Sequence, residues 1–132
     1  MTLVEVMITV VVVTILATIS FPLGYRFVEG NRRMEAEAMM LQIHQGEKAF
    51  FARNRAYWIG GNNAVIRTPP EPSNSNDING NLDIYLDQPV FYNIPDFSAN
   101  NGYTAVTSRK GNNTNKVCIT QNGVLIYDSS CP

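Results

Sequence analysis

At 132 residues, with a net charge of −1, 45% hydrophobic residues and two cysteines, the chain has the material for one small domain. It is neither a disulfide-dense scaffold nor a strongly basic nucleic-acid binder. The hydrophobic share is inflated by the first twenty-five residues, which set the terms for everything after them.

From Val6 to Tyr25 no residue is charged, a run of 20 that meets the length of roughly 20 needed to span a bilayer as a helix. Val, Ile and Thr dominate it. These are mediocre helix formers in water, but a membrane leaves an isolated segment no other way to satisfy its backbone. Pro22 lacks an N–H and its ring presses on the carbonyl of Thr18, while Gly24 adds backbone freedom. A kink or a melted turn is therefore expected at Pro22 and Gly24, with the Thr18 hydroxyl facing it. The one charge near the start is Glu5, and an acid inside hydrocarbon is a functional-site candidate that needs a partner. A secretory signal peptide would open with Lys or Arg and close on small residues. A plain anchor leaves Glu5 without a reason, and a buried core helix would need more cover than the rest of the chain provides.

Met1-Thr2-Leu3-Val4-Glu5-Val6-Met7, running into an aliphatic helix with Pro22 near its far end, resembles the mature amino terminus of type IV pilins and the related pseudopilins. The family's common start is Phe-Thr-Leu-Ile-Glu-Leu, so Thr2, Leu3 and Glu5 match in identity and Val4 and Val6 in character. Met1 departs from the usual Phe, as in the toxin-coregulated branch. The short basic leader is absent, so the processed form is expected. The resemblance implies that Met1, Thr2 and Glu5 serve assembly: the helices pack in a filament core and Glu5 neutralises the terminal amine of a neighbouring subunit. It also implies N-methylation of Met1, which keeps the amine's charge. At about 4 Å and an effective dielectric of 20 such a pair attracts by ~4 kcal/mol, enough to set register.

Beyond Tyr25 charged residues appear among apolar ones. Met34, Ala38, Leu41, Ala49 and Ala52 keep roughly helical spacing, with Phe50 and Phe51 widening the stripe, so one helix is expected to continue to about Arg53. At 1.5 Å per residue it would be about 80 Å long. Gly30 and Gly46 each cost it about 1 kcal/mol relative to Ala. The methionines read as a packing face.

Residues 60–80 read as loop, rich in Gly, Asn, Ser and Pro. Strands are expected at Leu82–Leu86, Val90–Ile94, Tyr103–Ser108, Lys116–Gln121 and Val124–Tyr127. Asn122-Gly123 is read as a two-residue type I′ hairpin. An antiparallel sheet over 82–127, laid on the polar half of the helix, would bury Phe50, Phe51, Tyr57 and Trp58. The arginines after the apolar run would hold the polar domain in the cytoplasm under the positive-inside rule. Cys118 and Cys131 argue the reverse. Their spacing suits neither a redox pair nor a zinc site, so a structural disulfide in an oxidising compartment is the better reading. The pilin resemblance resolves the conflict through the basic leader, and it matches the disulfide-bounded loop, here 118–131, at the carboxyl end of many pilins.

No catalytic pattern, P-loop, dinucleotide fingerprint or metal cluster stands out, so neither an enzyme nor a cofactor is expected. His44, the single histidine, reads as a surface or interface residue. Asp77, Asn79, Asn81 and Asp83 alternate like a calcium loop, but Leu82 sits where Gly is needed and Gln88 where Glu is needed. Asn112-Asn113-Thr114 is a short glycosylation sequon. Phe21, Tyr25, Phe27, Phe50, Phe51 and Tyr57 read as packing rather than an electron-conducting stack, and Arg109, Lys110 and Lys116 as a solvated edge rather than a DNA contact.

The expected molecule is α+β, with residues 1–25 as a protruding membrane or filament-core half-helix and 26–132 as a globular pilin domain. The expected role is a structural subunit, the major pilin, of an extracellular type IV pilus-like filament of identical subunits. An inner-membrane pool, a prepilin peptidase and the pilus assembly machinery are implied by the resemblance; nucleic acid is not indicated. The alternatives are a minor pilin or type II secretion pseudopilin, and a monomeric membrane-anchored extracytoplasmic domain. Adhesion, motility, DNA uptake and conduction are left open as the purpose.

Overall fold

The computed structural model describes residues 2–60, 64–98 and 102–131, and the side chains within them other than those at 21–23, 25 and 129. The chain forms two compact units, Met1–Arg33 and Met34–Pro132.

A single helix, α1, is assigned over Leu3–Asn54. Its first part, in unit one, is apolar on all sides. The window Leu3–Ser20 has a mean hydropathy of 2.4 with none of it buried, so by length and composition it could cross a membrane. The backbone stays helical through Pro22 and Gly24, so no turn is melted there. The Thr18 hydroxyl does not face that turn; it donates to the Ile15 carbonyl at 2.8 Å, on its own helix. Thr9, Thr14 and Ser20 donate in the same way to Val6, Val10 and Leu16. Each hydroxyl within Leu3–Ser20 thus finds an acceptor on its own helix.

In unit two the helix buries a different stripe from the one its apolar residues suggest. Met34, Ala38, Leu41, Ala49 and Ala52 are all exposed, whereas Ala36, Met39, Met40, Ile43, His44 and Glu47 are buried. Helical spacing holds for the buried set as well as for the exposed one, which has a gap of eight between Leu41 and Ala49, so periodicity alone could not choose the phase. Two polar side chains in the buried line misled the count. Arg55 ends α1 in the left-handed region (φ 57) and donates its N–H to the Phe51 carbonyl at 2.8 Å, an αL cap made without glycine.

The sheet is a four-stranded antiparallel meander in chain order: β1 Asp96–Ser98, β2 Thr104–Arg109, β3 Asn112–Thr120 and β4 Leu125–Tyr127. Tyr103, Ala105, Val117 and Ile119 join Ala36, Met39, Met40 and Ile43 of α1 in one core. Trp58 is buried there and Phe50 and Tyr57 pack at its margin, but Phe51 is exposed.

The strands expected at Leu82–Leu86 and Val90–Ile94 do not form, and for two different reasons. Ile78–Leu82 is a short helix, α2. After it, Leu86 pairs both backbone groups with the Asn79 side-chain amide, N–H to Oδ1 and carbonyl to Nδ2, each at 2.9 Å. A buried amide thus does the work of a neighbouring strand. Around Val90–Ile94, the Glu35 carboxylate takes the Val90 and Phe91 N–H groups, and only Tyr92 bridges to Arg109. The β3–β4 connection is also longer than expected. Thr120 and Val124 still pair, Gly123 alone has a positive φ (76), and its N–H donates to the Thr120 carbonyl at 2.8 Å. The loop is therefore three residues, Gln121–Gly123, with glycine in the αL position, rather than a type I′ Asn-Gly turn that would need positive φ at both residues.

Candidate functional site

The amino-terminal end of α1 is closed by a reciprocal pair. Thr2 donates its N–H to Glu5 Oε2 and Glu5 donates its N–H to Thr2 Oγ1, both at 3.4 Å. Spacing and direction are those of a capping box, in which the acid also complements the positive end of the helix dipole. The Thr-x-x-Glu pattern is legible in the sequence, and it gives Glu5 a role inside its own chain that the sequence reading overlooked. Glu5 uses only Oε2 in this cap; Oε1 has no donor among the described residues. Met1, expected as the methylated amine and as the partner across subunits, lies outside the described residues.

Cys118 and Cys131 form the expected disulfide. On β3 the inward residues are Val117 and Ile119, so Cys118 points to the opposite face of the sheet, where the bridge draws the η1 turn Asp128–Ser130 over it. This explains why three consecutive residues of β3 are buried.

A second polar centre lies within the globular unit, and sequence reasoning missed it. His44 is buried rather than at the surface, and its Nδ1 is hydrogen-bonded to the Tyr103 hydroxyl. Burial, with Lys48 nearby, lowers the His44 pKa below its ordinary value, and burial raises that of Tyr103. Tyr103 O–H is therefore the donor and neutral His44 the acceptor. One turn on, Glu47 is wholly buried. Its Oε2 accepts the Trp58 N–H at 3.0 Å, while Oε1 has no partner among the described residues. Phe51, Tyr57 and Tyr103 continue from this centre as ring pairs with centroids 4.6 and 5.0 Å apart.

The calcium-like loop is used for folding. Buried Asp77 accepts the Arg67 N–H at 3.2 Å on one oxygen and the Glu71 N–H at 2.6 Å on the other. Asn79 is committed to Leu86 and Arg67, and Asp83 faces Arg53. Among the described residues no cluster of three or more His, Cys, Asp or Glu is assembled for a metal. Asn112 of the sequon sits exposed at the β2–β3 turn, where its Oδ1 accepts the Thr114 N–H and hydroxyl. Lys110 is tied to the Pro89 carbonyl at 2.6 Å.

No family model, no curated protein and no solved structure matches this chain.

Proposed function

We propose that this chain is a structural subunit, and specifically the major pilin, of a type IV pilus-like filament, held in the inner membrane before assembly and displayed outside the cell after it. The observation that carries the reading is the first unit: an apolar helix exposed along its whole membrane-length window, with a lone acid one turn from its start. Such a helix needs apolar surroundings, which lipid supplies first and the helices of like subunits supply later. The capped Glu5 retains Oε1 for a neighbour's amine, so capping and cross-subunit pairing can coexist. In the globular unit the exposed line of Met34, Ala38, Leu41, Ala49 and Ala52 would offer a neighbouring subunit an apolar packing face, and a disulfide suits an oxidising exterior. Prepilin peptidase and assembly machinery follow from this reading. A minor pilin or secretion pseudopilin would use the same mechanism.

The capping box favours one reading of another class, a monomeric membrane-anchored extracytoplasmic domain, because it accounts for Glu5 with no second copy. Glu5→Gln separates the two. Gln can still close a capping box but carries no charge, so it should abolish or misregister filaments seen by electron microscopy, while Thr2→Ala, which loosens the cap and keeps the acid, should leave them. Normal filaments from Glu5→Gln would remove the charge pair from the assembly mechanism. A native preparation without filaments would favour the anchored domain.

A further inference from the structure

We propose that Glu47 is a buried proton switch: with its proton on, the side chain belongs to the core beneath the Trp58 segment, and when the proton leaves, the globular unit loosens. The carboxyl has no exposed surface. Among the described residues it has one protein donor, the Trp58 N–H on Oε2, and none on Oε1. A buried carboxylate without a cation and with half its acceptors unused is the costly form, and the neutral acid is the form that such a site tolerates.

The surrounding charges do not change that balance. On its own helix lie His44, kept neutral, and exposed Lys48, which acts on His44. Just before β2 comes Tyr103, a neutral phenol whose ionisation Glu47 itself opposes, with the Tyr57 ring against it. Arg53 is turned to Asp83 in an exposed pair at 3.8 Å. Among the described residues no cation pairs with Glu47. Burial accordingly raises its pKa from 4.5 to about 7, against a weaker opposite pull from the Trp58 N–H. The folded form keeps its proton while the unfolded chain gives it up, so stability is full below pH 4.5, declines as pH rises, and has lost this contribution once pH passes about 7.

The location makes the switch consequential. Glu47 holds the first turn of chain beyond α1, and that turn carries Trp58 into the core against Phe97, with ring centroids 5.0 Å apart. Trp58 is also the single tryptophan, so the probe sits on the element that the switch controls.

The test is urea unfolding of the full chain in a non-ionic detergent, followed by Trp58 fluorescence, for the native chain and for Glu47→Gln, which imitates the protonated acid. His44 titrates in both and cancels in the comparison. The folding equilibrium constant of the native chain, divided by that of Glu47→Gln, should fall roughly 50- to 100-fold between pH 5 and pH 8.5. A ratio unchanged with pH overturns the proposal. Should Glu47→Gln fail to fold, carbon-detected NMR of the native chain decides: a Glu47 carboxyl midpoint near 7 supports the switch and one near the ordinary 4.5 overturns it.

Discussion

Replacing Gly46 by Ala should destabilise the globular unit, although Ala is the better helix residue. The helix gains about 1 kcal/mol from the substitution. Against this, the new Cβ would stand 2.9 Å from Ile84 Cγ2, 2.9 Å from Leu82 Cβ and 3.2 Å from the Leu82 carbonyl oxygen. Only the first of these atoms belongs to a side-chain end that can rotate away. The other two are fixed to the backbone at the end of α2, so either α2 or α1 must shift. Overpacking of this kind costs about 1–3 kcal/mol, and the rigid neighbours place it in the upper half of that range, for a net loss of about 1–2 kcal/mol. In a domain of this size each kcal/mol lowers the melting temperature by roughly 4–8 °C. Thermal unfolding of the full chain in detergent, read by Trp58 fluorescence, gives the number. The double variant Gly46→Ala/Ile84→Ala should show favourable coupling of about 0.5–1.5 kcal/mol relative to the sum of the singles. An increase in stability from Gly46→Ala alone would mean that α1 does not approach α2 at this residue, and the phase of the helix described above would be wrong.

Asp77→Asn should cost about 1–3 kcal/mol, because one amide N–H then confronts the N–H of Glu71 or Arg67 in a buried site; a urea midpoint unchanged from the native chain would refute this. Reducing the Cys118–Cys131 bridge should remove about 3 kcal/mol in the chain-entropy model for a loop of this size, measured as the shift in urea midpoint with and without reductant. His44 works on the acid side. With its folded pKa held below 6.5, its contribution is present above that value and is lost as pH falls through the lowered one. A His44→Gln variant should therefore lose less stability than the native chain on acidification from pH 6.5, and parallel pH profiles would contradict the buried assignment.

Composition and one-dimensional pattern pointed to the helix of the first unit, though not to its unbroken course through Pro22 and Gly24. An uncharged run of twenty residues has no stable conformation in lipid but a helix, and the Thr2-Glu5 spacing encodes its own cap, because both depend on residues adjacent in the chain. β2, β4 and the second half of β3 were legible for the same local reason, and the disulfide was legible because the chain has two cysteines. What the tertiary structure alone decided is which groups meet across the fold. The phase of α1 turns on Gly46 meeting Leu82 and Ile84, and on His44 and Glu47 being covered by Tyr103 and Trp58. The false strand at Leu82–Leu86 turns on a side-chain amide taking the place of a ladder partner. Hydrophobic spacing reports that a face is buried without naming what buries it, and a polar side chain is welcome in a core only when a distant residue supplies its partner, which no window of neighbouring letters can contain.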